Sequence, residues 1–251
     1  MAKRQNQKTS APNPDPFPYA DYESARKGLR QALGGPGFYA LFTGSSGMGK
    51  TCLFKQIAKT LDRHRHHMLY LSSSKASLVG IVRFVAQKVH VTPRRSIIET
   101  IDLLSEAVLA LPAHLVLWID EADQLEPSIL HEIRIFSECC PEASQLFSVV
   151  LSGLPTLNGL LDAPALFPLK RRISHAFALA GLRRDELEPF LTYRFGSSDF
   201  GRLPAETFDE LFERTLATPA IIDALGRRLL DSTDKPIGPE DLRVALDKSG
   251  L

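Results

Sequence analysis

The sequence is poor in cysteine and contains no long apolar run. Its 3 cysteines are an odd number, and two of them, Cys139 and Cys140, are adjacent. Such spacing is not typical of a disulfide framework and indicates a reducing compartment. No stretch reaches the roughly 18 consecutive apolar residues of a membrane span, and the polar, basic start lacks the apolar region of a signal peptide. The sequence therefore predicts a cytoplasmic protein without a membrane partner.

Net charge is also scarce, because 30 basic residues nearly balance 29 acidic ones. The resulting charge of +1 gives no overall attraction to a polyanion, so any contact with nucleic acid must come from local basic clusters. The remaining composition, 44% hydrophobic and 24% charged, is that of a globular protein. A chain of 251 residues is long enough for one or two domains.

Apolar runs of strand length alternate with segments of helical periodicity up to about Gly181, and only helical periodicity follows. The runs are GFYALFTG, HMLYLSS, LVLWID, FSVVLSG and the less apolar ISHAFAL. Strands that are apolar on both faces and alternate with helices indicate a parallel sheet covered on two sides. The sequence therefore predicts a flexible tail over residues 1–14, an α/β core over 15–180 and a small helical domain over 181–251.

The segment TGSSGMGKT has the spacing of a phosphate-binding loop. Its glycines let backbone N–H groups turn toward the phosphates of ATP, and the following helix adds its positive N-terminal dipole. Lys50 is predicted to reach the β- and γ-phosphates, and the Thr51 hydroxyl to hold Mg²⁺. The alternative, a glycine-rich turn with a solvated lysine, does not explain the flanking strand and helix. The residues predicted to bind ATP here are Gly44, Ser45, Ser46, Gly47, Met48, Gly49, Lys50, Thr51 and Cys52.

The segment LVLWIDEADQL supplies the acidic half of the predicted site. Asp120 follows an apolar strand, which places its carboxylate at the edge of the sheet beside the loop, where it can coordinate Mg²⁺ through water. The adjacent Glu121 is predicted to polarise the attacking water. The alternative is a solvated acidic turn. The letters DEAD also suggest an RNA helicase, but the chain has no room for the second ATPase-like lobe of such enzymes.

Two further segments contain candidate catalytic residues. Ser152 ends the strand FSVVLSG and is predicted to orient the attacking water, unless it is a strand-end serine satisfied by the backbone. Lys170, Arg171 and Arg172 end a helix directly before the fifth strand. An arginine there could reach the γ-phosphate of a neighbouring subunit. We call such a residue an arginine finger; Arg172 is the preferred candidate, and Arg171 is a second candidate. The alternative is a solvated basic helix end.

Two polar loops carry the predicted contacts to duplex DNA. Lys75 follows the second strand within a serine-rich loop, and Arg94, Arg95 and Ser96 precede a helix that begins with the capping box formed by Ser96 and Glu99. Hydroxyls, N–H groups at a helix start and arginines are the groups that contact a DNA backbone. Polar loops with a few basic residues are common, so solvated loops remain the alternative. The histidines of RHRHH lack the usual metal-ligand spacing and indicate a solvated turn.

The segments TGSSGMGKT, LWIDEADQL and VVLSGLPTLNGLL, together with RRI, resemble the AAA+ ATPases of transposition, which include TnsC, TniB and MuB, and the related secretion ATPase ExeA. The likeness runs over about residues 15–230. It implies the AAA+ P-loop NTPase fold, a five-stranded αβα sandwich followed by a helical lid. It also implies a filament or ring that assembles with ATP on duplex DNA and uses an arginine finger near Arg172. That assembly is expected to recruit a transposase, with or without a target-selection adaptor, and to disassemble when ATP is hydrolysed.

The sequence departs from these relatives at two positions. Ala220 stands where they carry an arginine in the lid, which implies slow or differently coupled hydrolysis. Leu154 stands where they carry a polar residue, which weakens the assignment of Ser152. The linker before the core resembles theirs as well, so Phe17 or Tyr19 is expected either to cover adenine or to act as an aromatic staple.

Two other functions compete with that of a transposition regulator. One is an assembly ATPase for a secretion or envelope system of the ExeA type. Those relatives carry a membrane anchor and a peptidoglycan-binding region after the ATPase, and the sequence up to Leu251 has neither, so we expect the first function. The other is a nucleotide-gated scaffold with negligible turnover.

Overall fold

The computed structural model describes residues 13–72, 77–138, 145–196, 203–232 and 237–250. Most of the predicted tail and the predicted DNA contact Lys75 lie outside the described residues. Within the described ranges, no helix is both long and apolar enough to cross a bilayer.

Five parallel strands form one sheet, which confirms the fold expected from the apolar runs. The strands are β1 (Tyr39–Gly44), β2 (His66–Ser72), β3 (His114–Asp120), β4 (Phe147–Gly153) and β5 (Ile173–Leu179). Neighbouring strands follow the order β2-β3-β4-β1-β5. Parallel strands place all their carboxyl ends at one edge, which brings the residues that follow β1, β3 and β4 together.

Helices alternate with these strands along the chain. They are α1 (Ala20–Ala32), α2 (Lys50–Thr60), α3 (Leu78–Lys88), α4 (Ile97–Ala110), α5 (Pro127–Glu138), α6 (Thr156–Leu161) and the single turn α7 (Phe167–Lys170). Serine side chains begin two of them: Ser77 accepts the N–H of Gly80, and Ser96 accepts the N–H of Glu99. The N-terminal cap expected at Ser96 is therefore present, and it fixes where α4 starts.

The central strands β1, β3 and β4 are buried along their whole length. Trp118 in β3 is fully buried, and its ring lies 5.1 Å from that of Phe42 and 5.4 Å from that of Phe54. The edge strand β5 alternates between half-buried and exposed residues, which explains why ISHAFAL is less apolar than the other runs.

By its contacts, the described chain divides into two compact units: residues 21–46 with 50–179, and residues 13–20 with 47–49 and 180–250. The second unit contains the helices α8 (Leu187–Phe195), α9 (Ala205–Thr215), α10 (Pro219–Ser232) and α11 (Pro239–Lys248). A left-handed turn joins α9 to α10, with φ values of 49° at Leu216 and 52° at Ala217. The carbonyl of Ala217 accepts the N–H of Leu182 at 3.0 Å, which ties the turn to the segment before α8.

Candidate nucleotide site

The predicted phosphate-binding loop lies between β1 and α2. Gly47 and Gly49 adopt left-handed φ values of 83° and 94°, which side chains rarely allow. The Lys50 Nζ donates to the carbonyls of Gly44 at 2.6 Å and Ser45 at 3.1 Å. The loop thus has the glycine backbone, the lysine and the following helix N-terminus that a triphosphate requires.

The Asp120 carboxylate is the centre of a buried hydrogen-bond network at the carboxyl edge of the sheet, with only 5% of the residue exposed. Its Oδ2 accepts the hydroxyls of Thr51 at 2.9 Å and Tyr70 at 2.6 Å. Its Oδ1 accepts the Ser152 hydroxyl at 2.9 Å and the Glu121 N–H at 3.0 Å. Four donors from four parts of the chain therefore converge on one carboxylate.

These contacts decide the protonation states at the site. Burial alone would raise the pKa of Asp120, but the bonds from Tyr70, Thr51, Ser152 and the backbone hold it below its ordinary value. Burial and the bond to Asp120 raise the pKa of Tyr70 to about 12, so its hydroxyl remains a donor. Burial lowers the pKa of Lys50, while the nearby charges of Asp120 and Asp123 act in the opposite direction.

The residues at this edge fit Mg²⁺ bound together with a nucleotide. Thr51 and Asp120 bring hard oxygen atoms within 2.9 Å of each other, next to the loop. Among the described residues, no group of three or more His, Cys, Asp or Glu could hold a metal ion by itself. Mg²⁺ commonly binds through one or two side chains, waters and phosphate oxygens, and the two residues supply that smaller set.

Glu121 has a strained backbone, with φ 57° and ψ 35°. A non-glycine residue in this left-handed region costs on the order of 1–3 kcal/mol and needs support from its surroundings. That support includes its own N–H bond to Asp120 and the turn of residues Ala122–Gln124 that follows. The side chain is exposed, next to the buried carboxylate, which suits a residue that acts on water.

Ser152 is fully buried, and its hydroxyl donates to Asp120. This partner differs from both sequence-based alternatives, a water molecule and the backbone. The neighbouring Leu154 N–H donates instead to Oδ1 of Asp123 at 2.9 Å. A Cβ on Gly153 would lie 2.4 Å from the same oxygen, so the end of β4 is packed closely against the turn after β3.

The tip of the loop, residues 47–49, makes its contacts with the helical unit to which it belongs. The buried Tyr19 hydroxyl donates to the Met48 carbonyl at 2.6 Å, and the Ala220 N–H donates to the Gly47 carbonyl at 3.3 Å. A Cβ on Gly47 would lie 2.9 Å from both the Ala220 Cβ and the Thr218 Cγ2. Ala220 therefore contacts the tip of the loop through its backbone N–H and its Cβ.

Neither aromatic residue proposed to cover adenine is free of other packing. Tyr19 is 3% exposed and bonded to the loop. The ring of Phe17 lies edge-on to Phe190 and Tyr193, with centroids 5.5 Å apart in both pairs. Both side chains therefore pack against α8 or the loop, and their two predicted roles stay predictions. Cys52, also predicted to bind ATP, is an exposed free thiol on α2.

The basic residues before β5 lie at the opposite end of the sheet from the phosphate loop. Arg171 and Arg172 are exposed, and Lys170 forms an ion pair with Asp162. The strand β5 runs parallel to β1, so the arginines stand one strand length, about 20 Å, from the edge that carries the loop. The structure does not bring them to the site of their own chain.

At the start of α4, Arg94 and Arg95 are exposed and Ser96 caps the helix. Thr100 fixes the loop, because its Oγ1 accepts the Arg94 N–H at 2.9 Å and donates to the Ser96 carbonyl at 2.9 Å. Two exposed cations thus precede a capped helix N-terminus, which is a surface suited to phosphate groups.

Sequence reasoning missed two residues of the site. Tyr70 bonds to Asp120, and Asp123 bonds to the end of β4. Tyr19 was named from the sequence, but its hydrogen bond to the loop was not expected. For Tyr70 the signal was a polar aromatic near the carboxyl end of an apolar run. That signal becomes informative only once β2 is known to lie beside β3. No local pattern marks Asp123 as a partner of β4.

The comparisons with known proteins agree with this geometry. Residues 35–161, half of the chain, match the family described as AAA domain. General secretion pathway protein A from Aeromonas hydrophila is 27% identical over 191 residues, which are 71% of this chain and 34% of that protein. The chain therefore spans about a third of the length of this relative.

Solved structures of archaeal proteins have the same fold. Cdc6p from Pyrobaculum aerophilum matches with a TM-score of 0.70 and 17% identity, over 94% of this chain and 69% of that one. The ORC1 protein from Aeropyrum pernix, solved in complex with DNA, matches with a TM-score of 0.62 and 16% identity, over 94% and 66%. Together with the family match over half of its length, these findings show that the chain belongs to the AAA domain family and has the fold of an AAA+ P-loop NTPase.

Proposed function

We propose that this chain is an ATP-dependent DNA-binding regulator of transposition. ATP would assemble it into a ring or filament on duplex DNA, the assembly would recruit or activate a transposase, and hydrolysis would dismantle it. The observation that carries the ATPase part is the network that joins Thr51 and Asp120 beside the phosphate loop.

In this proposal Lys50 and the loop backbone bind the phosphates. Thr51 and Asp120 would hold Mg²⁺, which would supply positive charge to offset the negative charge of the phosphates. Glu121 orients and polarises the attacking water, since its exposed side chain directly follows the buried Asp120. Ser152 acts indirectly, because its hydroxyl fixes Asp120.

The separation between Arg172 and the loop of its own chain supports assembly. An arginine about 20 Å from the phosphates cannot stabilise them, so Arg172 serves as a finger only in the site of a neighbouring copy. Mixing two inactive variants tests this step. Glu121→Gln keeps the finger and Arg172→Ala keeps the site, so mixed oligomers should regain hydrolysis.

The control for this mixture is Arg171→Ala, which removes the adjacent exposed arginine. If Arg172 is the finger, Arg171→Ala hydrolyses ATP at close to the native rate. If ATP hydrolysis drops only in Arg171→Ala, then Arg171, and not Arg172, is the finger. If neither variant is impaired, the proposed action in a neighbouring site is wrong.

The exposed Arg94 and Arg95 at the capped start of α4 support DNA binding. The similar fold of an ORC1 protein was solved in complex with DNA, which is consistent with this use of the fold. A gel-shift assay with duplex DNA and a non-hydrolysable ATP analogue tests it. The native chain should shift the DNA, and a variant with both arginines changed to Glu should not, while it still binds the nucleotide.

Electron microscopy of the same mixture tests the assembly directly. We expect rings or filaments on DNA in the presence of the analogue and none in its absence. A chain that stays monomeric and leaves DNA unshifted contradicts the transposition proposal. If assemblies do form on DNA, co-purification with a transposase tests whether the assembly recruits that enzyme.

A second function is favoured by the match to General secretion pathway protein A. An assembly ATPase of that kind would form oligomers with ATP whether or not DNA is present. Oligomers that form equally without DNA, together with an unshifted gel, support this alternative. A nucleotide-gated scaffold would instead show the same slow phosphate release in the native chain and in Glu121→Gln.

A further inference from the structure

We infer that Tyr70 is a positioning residue for the metal at the nucleotide site. Its hydroxyl fixes the Asp120 carboxylate so that Asp120 and Thr51 present their oxygens together to Mg²⁺. The inference rests on the proposed nucleotide function and adds to it a residue that no loop motif contains.

The pairing of β2 with β3 places Tyr70 where it can act on Asp120. In this register Tyr70 lies opposite Trp118, and Ser72 lies opposite Asp120. Residues 118 and 120 point to the same face of β3, so Tyr70 is the diagonal neighbour of Asp120 on that face. Long aromatic side chains reach across such diagonals, and the Tyr70 hydroxyl lies 2.6 Å from Oδ2 of Asp120.

The ring of Tyr70 is held in this direction by α2. Its centroid lies 4.6 Å from the ring of Phe54, which also packs against Trp118 at 5.4 Å. Phe54 stands three residues after Thr51, one helical turn away. The same contacts therefore connect the tyrosine to the helix that carries Thr51 and to the strand that carries Asp120.

The need to satisfy a buried carboxylate does not by itself explain why the Tyr70 hydroxyl donates to Asp120. The carboxylate already accepts three other hydrogens, from Thr51, Ser152 and the Glu121 backbone. Two of the four donors hold Oδ1, and Tyr70 shares Oδ2 with Thr51. Without Tyr70, the oxygen nearest the metal-binding hydroxyl would have one donor in place of two. Partners of this kind orient metal-binding groups, and their loss typically lowers metal affinity about 10–100-fold.

A titration of Mg²⁺ tests the inference with the full chain and a fluorescent ATP analogue, using binding as the readout. Tyr70→Phe keeps the ring that packs on Phe54 and removes the hydroxyl. We expect it to need about tenfold more Mg²⁺ for half-maximal binding, with unchanged nucleotide affinity in the presence of a metal chelator. Tyr39→Phe is the matched control, because it also removes a buried tyrosine hydroxyl, one bonded to Ser137. It should need the native amount of Mg²⁺.

The outcomes separate two failures. If the native chain binds the analogue and Tyr70→Phe has the same Mg²⁺ requirement, the inference about Tyr70 is wrong and the proposed function stands. If the native chain binds no nucleotide, the proposed function fails first. Should Tyr70→Phe not fold, Phe54→Leu provides the second variant. It keeps the hydroxyl but loosens the ring, and its Mg²⁺ requirement must rise, or the inference is overturned.

Discussion

Among the described residues, both ends of the sheet bury polar side chains, and the carboxyl end also buries the charge of Asp120. At the carboxyl end, the ionised Asp120 accepts four hydrogen bonds. At the amino end, His114 and Ser148 form a neutral pair at 2.7 Å, and Ser148 also accepts the N–H of Phe38 at 3.1 Å. Both ends lie within one unit and next to the same apolar core.

The difference shows how burial acts on groups of different kinds. Burial, with a smaller effect of His66, lowers the pKa of His114 to about 4, so the imidazole stays neutral and its partner needs no charge. Asp120 stays charged at similar burial only because several donors converge on it. A buried charge kept by convergent donors is what a metal and phosphate site needs, whereas a neutral pair serves the fold.

The largest effect should appear at the carboxyl end, in the rate of hydrolysis. Glu121→Gln removes the proposed water-polarising carboxylate and should lower the rate of phosphate release at least about 100-fold, while nucleotide binding is kept. Glu126→Gln makes the same change of charge on an exposed residue five positions later and should retain the native rate. A rate in Glu121→Gln close to native would show that the carboxyl end has no such catalyst.

One substitution at each end compares the loss of a charged buried acceptor with the loss of a neutral one. Asp120→Asn and Ser148→Ala should each lower the free energy of unfolding by about 1–3 kcal/mol, because both leave buried donors without an acceptor. Urea denaturation without nucleotide measures this loss. Only Asp120→Asn should also abolish the Mg²⁺ dependence of nucleotide binding. If Ser148→Ala changes that dependence as well, the two ends are coupled and the comparison fails.

The amino end should make stability depend on pH. His114 binds a proton at an ordinary pKa of 6.5 when unfolded and at about 4 when folded, so the unfolded state binds more protons between these values. Its contribution to stability is thus complete above pH 6.5 and is lost as the pH falls toward 4. His114→Gln should have a smaller decline of the urea midpoint over this range than the native chain. An identical decline in both would assign the effect to other groups.

Two glycines give the smallest effects, of opposite sign. Gly153→Ala should destabilise the chain by about 1 kcal/mol, because its Cβ would displace Asp123 from the Leu154 N–H. Gly159→Ala should stabilise α6 by about 0.4–1 kcal/mol, since nothing lies within 4 Å of its Cβ position. Thermal unfolding measures both. Equal shifts in one direction would show that the close packing of β4 on the turn after β3 has no energetic consequence.

The sequence predicted the features that depend on chain-local patterns. Continuous apolar runs indicated all five strands, and glycines with Lys50 and Thr51 indicated the loop. The acidic pair was found because it directly follows an apolar run. These signals survive without knowledge of which strand lies beside which.

The partners of those residues could not be predicted, because they depend on strand order and register. Tyr70 meets Asp120 only through the pairing of β2 with β3, and Ser152 meets it only because β4 lies on the other side of β3. The left-handed backbone of Glu121 likewise follows from the tight turn after β3. A one-residue change of register would turn each side chain to the other face.

The strand order also sets when the phosphate loop can form during biosynthesis. The strand β1, second among the elements, pairs with β4 and β5, so Tyr39 lies opposite Val149 and Ile173. A nascent chain has no partner for β1 until residues 147–179 have been made, which takes on the order of ten seconds at typical translation rates. Until then the strand that precedes the loop has no neighbouring strand to pair with. The loop therefore takes its final place only after most of the α/β unit has been made.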